Sequence, residues 1–273
     1  MLTNLAGSDR GRRHPRRVSS GGRLRPALVR QLDTAAAAGE ALRSAPAGAG
    51  DGGQPGTLPK IAESRAGVAV LHARLSLINA DPLLLRESVR YIESELRPAV
   101  ESQPGNLGLS LLASPELGVA VLESFWASLD ALRDSEAAVA PARGEVIRRA
   151  KGTVAVERYR IPVFEREAPP RGGEGVRLTR MEVEPSAVDD AIEAFGDTAV
   201  PWLAETPGFH SALLFADPAS GHLISEDVWM DPQALAASRS AAAVARVDAV
   251  DAARCVIRAV EEYIQVFSSA RKA

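Results

Sequence analysis

The sequence predicts an α+β fold in which two tandem βαββαβ modules close on each other as one barrel within a single chain. Three observations carry that expectation. The chain repeats itself at a spacing of 103 residues, the repeat keeps proline and glycine at matching turns, and two-residue alternation gives way to helical spacing at the same places in both copies. Adding 103 carries Arg74-Leu75 onto Arg177-Leu178, Pro82 onto Pro185, Pro104-Gly105 onto Pro207-Gly208, and Gly118 onto Gly221. It also carries Glu123 onto Glu226, Trp126 onto Trp229, Ser135 onto Ser238, and Val163-Phe164 onto Val266-Phe267. Turn, core and terminal positions keep one register without gaps, which is the mark of duplication.

Each element then follows in order. The first strand is LHARLSLIN (71–79), matched by VRLTRMEVE (176–184). Pro82 and Pro185 open helices, because proline's missing N–H is unpaired in a first turn anyway. Leu85, Val89, Ile92, Leu96 and Val100 place one apolar stripe on that helix, and Val188, Ile192, Phe195, Ala199 and Leu203 repeat it. Pro-Gly stops each helix, and two strands joined by SPELG or DPASG form a hairpin ending at Trp126 or Trp229. Ala-rich helical stretches follow over 129–150 and 232–253, the first broken by Pro141 and Gly144. Long last strands cover 153–164 and 255–267, and EREAPPRGGEG (165–175) links the copies.

A βαββαβ sheet covers one face with its helices and leaves the other bare, with open edges. Two copies closing face to face, each long last strand reaching across to the other sheet, remove both liabilities. The expected architecture is therefore a tandem pair of ferredoxin-like modules forming an intramolecular dimeric α+β barrel. The rival arrangement is two independent modules whose bare faces other chains cover. The expected divisions are a basic, disordered tail over 1–60 and modules over 68–167 and 175–268.

Bulk properties narrow the function. Residues 1–60 carry a net charge of +6, so the rest of this −3 chain carries −9. Acidic modules argue against a nucleic-acid surface on them. The Arg-rich start reads as a solvated tail, with an anionic-surface arm or a transit-like segment as alternatives. A lone cysteine, Cys255, excludes an intramolecular disulfide and fits a reducing compartment. No apolar run reaches the roughly 18–20 residues of a membrane span, and the start lacks an apolar leader core, so a cytoplasmic protein is expected.

The run TPGFHSALLFADPASGHLISEDVWMDPQALAAS (206–238) resembles the antibiotic-biosynthesis monooxygenase superfamily of dimeric α+β barrels. Its marks are Pro-Gly before the second strand, glycine in the hairpin, and Trp closing the third strand. The run over 103–135 carries the same marks. The resemblance implies a cofactor-independent monooxygenase acting on a small aromatic or polyketide-type substrate, with no cofactor or metal. It implies that Trp126 and Trp229 line the pocket, with core packing as the alternative for a strand-end Trp. Ser76 and Thr179 fall near the Asn that several members place on strand one, as hydrogen-bonding hydroxyls or as plain strand residues.

Arg74 and Arg177 sit at equivalent places on first strands, where a guanidinium fork can hold a substrate phenolate or carboxylate. Salt bridges to Glu123 and Glu226 are the alternative. Heme-degrading members need a His on the second helix, and none of His14, His72, His210 and His222 falls there. His210 and His222 are placed as neighbours across the second hairpin, as plain surface residues or as a proton-handling or metal pair, and Cys255 as a buried, inert thiol. The second functional reading is a non-catalytic ligand-binding or assembly module. The fused pair is expected to be self-contained, with further association left open.

Overall fold

The computed structural model describes residues 70–167 and 169–270. The basic tail expected over 1–60 lies outside them. The first copy runs β1 (Leu71–Asn79), α1 (Pro82–Tyr91), a π turn (Ile92–Leu96), α2 (Arg97–Glu101), β2 (Asn106–Ser114), β3 (Val119–Trp126), α3 (Leu129–Asp134), α4 (Glu136–Ala150) and β4 (Thr153–Arg166). The second runs β5 (Gly175–Glu182), a 3₁₀ turn (Pro185–Ala187), α5 (Val188–Ala194), a π turn (Phe195–Ala199), α6 (Val200–Ala204), β6 (Phe209–Asp217), β7 (His222–Trp229), α7 (Pro232–Ala253) and β8 (Val256–Ser268).

The eight strands form one closed antiparallel barrel in the order β1-β3-β2-β8-β5-β7-β6-β4. The two long strands do the closing. β4 pairs with β1 of its own copy and β6 of the other, and β8 pairs with β5 and β2. Every strand thus has two neighbours, and no edge is left to template another chain.

Strand alternation sorts the side chains into two environments. Leu75, Val121, Phe125, Leu178, Phe215, Ile224 and Val228 face inward and fill the barrel. Ile78, Leu85, Ile92, Leu96, Leu111 and Trp126 pack between the first sheet and its helices, and Leu203, Phe209, Trp229 and Leu235 do so in the second half. The hairpin glycines are required: Gly118 has φ +67°, and a Cβ there would lie 2.1 Å from the Ala80 carbonyl oxygen.

Three local features differ from the sequence expectation. The first helix of each copy is interrupted by a π turn, with the Arg97 and Val200 N–H groups bonding to Ile92 and Phe195 carbonyls five residues back. Pro98 and Pro201 follow directly. Proline cannot donate to the carbonyl four residues back and its ring crowds it, and the wider turn relieves both problems. The second helix of the first copy is not broken at Pro141 or Gly144, since α4 passes through both; the break falls at Ser135. The repeat also slips by one residue. Arg74 faces Arg158 across β1–β4, whereas Arg177 faces Glu262 across β5–β8, a spacing of 104 in the last strands. The extra residue is taken up as a bulge between Ile257 and Ala259, so Tyr159 corresponds to Tyr263 and Val163 to Phe267.

Candidate functional site

The residues singled out in the sequence lie mostly between sheet and helices. Trp126 and Trp229 are completely buried there. Trp126 Nε1 donates to Ser124 Oγ at 3.0 Å, and Trp229 Nε1 to Asp227 Oδ2 at 2.5 Å. Arg74 and Arg177 lie beneath the second helices. Arg74 Nη2 donates to Ser135 Oγ at 2.9 Å and to the Leu132 carbonyl; Arg177 Nη2 donates to Ser238 Oγ at 3.0 Å and the Leu235 carbonyl at 3.1 Å. Each Arg therefore ties a strand to the start of a helix with the same bonds. Ser76 and Thr179, two positions along the same strands, are buried under the same layer.

The salt bridges expected from Arg74 and Arg177 to Glu123 and Glu226 do not form. Arg74 is in register with Ser124, and Arg177 with Asp227, so each Glu one position away faces the opposite side of the sheet. Arg74 instead pairs with Glu136 at 3.1 Å, and Arg177 with Asp227 at 3.1 Å and Glu262 at 3.3 Å. Burial pushes the Asp227 carboxyl up to about 6, opposed by Arg177 and the Trp229 N–H.

Glu123 and Glu226 meet inside the barrel. They are equivalent positions of the two copies, and a residue on a two-fold axis meets its own counterpart. Both are buried, and two carboxyls this close can bond only if one of them carries a proton. Burial raises the Glu123 carboxyl well above its ordinary range, and the neighbouring Glu226 raises it further. Burial also raises Glu226, but the bond from Glu123 and the Arg166 guanidinium oppose the rise. Burial thus favours a neutral carboxyl at this pair, with Arg166 favouring charge on the Glu226 side.

Next to this pair, a recess opens at one end of the barrel. Its cavity is about 20 Å³, the room of about one water. Its walls are arranged by the pseudo-two-fold axis: Leu71, Leu107, Ile161 and Ala270 line one side. Their counterparts Glu174, His210, Gln265 and Arg166 line the other. A bulge in β6 between Phe209 and Ser211 turns His210 inward. Its Nδ1 lies 3.2 Å from Glu174 Oε1. With Nδ1–H donating there, Nε2 keeps its lone pair, and it has no partner among the described residues.

Glu174 also accepts the Arg171 and Gly172 N–H groups and Gln265 Nε2, all at 2.7–2.8 Å. Burial pushes its carboxyl upward, but the bonds from His210, Arg171 and Gln265 outweigh that and hold it below the usual carboxylate range. An ionised carboxylate orienting a His with a bare second nitrogen is the arrangement of a general base.

His210 and His222 are not neighbours, since His222 lies at the far end of the hairpin opposite Asp217. The three described histidines all sit on strands. Cys255 is buried, and burial pushes its thiol pKa up. Among the described residues, no three His, Cys, Asp or Glu converge as metal ligands, and no helix is long and apolar enough to cross a membrane. The recess residues were missed because each is apolar in the other copy, so the repeat gives no sign of them. The one available signal was Glu123 and Glu226, a charged residue kept at an inward position of both third strands.

Comparison with known proteins places this geometry. No protein-family model matches the sequence. The uncharacterized protein Rv2558 of Mycobacterium tuberculosis is 30% identical over 198 residues, covering 72% of this chain and 82% of that protein. The uncharacterized protein Rv2557 of the same strain is 29% identical over 174 residues, covering 64% and 76%. Among solved structures, an anthrone oxidase-like protein superposes with a TM-score of 0.57 at 19% identity, covering 74% of this chain and 94% of that one. A protein of Lactobacillus acidophilus, provisionally described as a monooxygenase, gives 0.57 at 12% identity, covering 75% and 98%. At these identities the likeness is one of fold, a closed α+β barrel with both halves in one chain.

Proposed function

From a chain that belongs to the family of the mycobacterial protein Rv2558, and has the monooxygenase-like barrel as its fold, we propose a cofactor-independent oxygenase acting on a small aromatic or polyketide-type compound. The observation that carries this reading is the Glu174–His210 pair beside Glu226 in the barrel recess. His210 Nε2 takes a proton from an acidic methylene or phenol, and Glu174 holds the imidazole in position and stabilises its charged form. The Arg166 guanidinium steadies the negative charge around that centre.

The electron-rich carbanion then reacts with dioxygen. One oxygen atom becomes the new carbonyl, and the other leaves as water with the two methylene hydrogens. The substrate is the reductant. The cavity admits little more than the reacting group, so the ring system lies at the mouth against Leu71, Ile161 and Phe164. In this proposal Trp126, Trp229, Arg74 and Arg177 hold the layers in place, and Ser76 and Thr179 pack under the helices.

The test is oxygen uptake by the purified protein with anthrone-type and hydroquinone-type probes. Uptake above buffer that His210→Leu lowers by about 10²–10⁴-fold supports the reading. Uptake that His210→Leu and Glu174→Gln leave unchanged overturns it. A second reading, a binding module without turnover, rests on the smallness of the cavity. It predicts that the same probes raise the melting temperature without consuming oxygen.

A further inference from the structure

Arg74 and Arg177 make the same bonds to their helices, yet their surroundings differ by one carboxylate. Arg177 Nη1 donates to Asp227, which also accepts the Trp229 N–H. The counterpart of Asp227 is Ser124, which accepts the Trp126 N–H but offers Arg74 no charge. Arg74 Nε and Nη1 are accordingly buried without a partner among the described residues, and the side chain is only 2% exposed.

The remaining charges do not make up the loss. Glu136 on the helix and Arg158 on the strand correspond to Arg239 and Glu262, so that ion pair is merely reversed between halves. Arg143 corresponds to Arg246 in both. Around Arg74, three guanidiniums share the single carboxylate of Glu136, which bonds Arg143 and pairs with Arg74 and Arg158. Around Arg177, three guanidiniums face two carboxylates, Asp227 and Glu262. A buried guanidinium is costly without a counter-charge, and a water satisfies its N–H groups without neutralising it. Burial brings Arg74 down to about 10, Glu136 opposing and Arg143 and Arg158 adding to the fall.

We infer that the first half holds a small monovalent anion on the free Nε and Nη1 of Arg74, near the place that the Asp227 carboxylate fills in the second half; Ser124 and Trp126 flank it, their own donors being spent on the Arg74 carbonyl and on Ser124. Ser124 is smaller than Asp227 by the carboxyl carbon and one oxygen, so the ion inferred is one of chloride size and not a substrate. This site lies between sheet and helices, outside the barrel recess, and is independent of the oxygenase reading.

The experiment is thermal unfolding of the whole chain as chloride replaces a bulky organic anion at constant ionic strength. The wild type is expected to gain roughly 2–6 °C and then level off. Ser124→Asp supplies the missing charge and should be as stable without chloride, with the dependence gone. Asp227→Ser should create a second, similar dependence. Should Ser124→Asp not fold, bromide soaked into wild-type crystals decides, because an anomalous peak beside Arg74 supports the site. A wild-type curve with no saturable chloride effect, or a bromide-soaked crystal with a water alone at Arg74, overturns it.

Discussion

The two halves of the barrel share their scaffold and differ in where their polar groups go. On the helix side, three guanidiniums face two carboxylates in the second half and only one in the first. At the barrel end the second copy is again the more polar: it contributes Glu174, His210 and Gln265, where the first contributes Leu71, Leu107 and Ile161. Duplication supplies two equal sets of positions, and at the barrel end a polar group stands where its surroundings satisfy it. Glu174 survives burial because four donors surround it. Leu71 occupies the equivalent place in an apolar setting. A chain with both copies fused can break its symmetry in this way; a dimer of identical chains cannot.

The largest expected effect erases the asymmetry of the recess. Making the polar wall match the apolar one with His210→Leu and Glu174→Leu together should lower turnover by about 10²–10⁴-fold in the oxygen-uptake assay, with the fold retained by circular dichroism. On the helix side, Arg177→Met strands Asp227 as a buried, unpaired carboxylate and should cost about 3–5 kcal/mol in urea unfolding. Arg74→Met removes a cation that is already short of partners and should cost clearly less. A reversed order would sink the charge comparison.

Smaller differences sharpen the same contrast. Trp229→Phe loses a bond to a charged group and should cost about 1.5–3 kcal/mol, against about 0.5–1.5 for Trp126→Phe, which loses one to a neutral hydroxyl. Glu123 tests the shared axis through pH. Its folded pKa is raised, so the folded state binds the extra proton and stability falls as pH rises above the ordinary Glu value of about 4.3. Glu123→Gln should flatten that decline above pH 5, with a gain of roughly 1 kcal/mol at pH 8. An unchanged pH profile in that variant would show that the pair does not share a proton.

Much of the fold was legible because its signals are local and repeated. Pro82, Pro185, Pro104-Gly105 and Gly118 mark the turns, and the stripe from Leu85 to Val100 marks the helix face. The crossing of β4 and β8 followed from their length and from the bare sheet faces. The site was not legible to the same degree. Whether Arg74 meets Glu123 or Ser124 depends on a register shift of one residue, which moves a side chain to the other face. The inward turn of His210 depends on a bulge that its sequence neighbours do not announce.

The sequence by itself determined the duplication and the order of strands and helices, since period, turn chemistry and apolar alternation act over a few residues; it favoured closure into one barrel, and the pairing of β4 and β8 across the halves decided that against two independent modules. Only the tertiary structure decided that Glu123 and Glu226 meet on the axis, that Glu174 orients His210, and that Arg74 lacks the carboxylate Arg177 has. Those outcomes depend on strand register and on which groups from distant segments are buried together, and burial is what turns an ordinary carboxylate, imidazole or guanidinium into one that must find a partner.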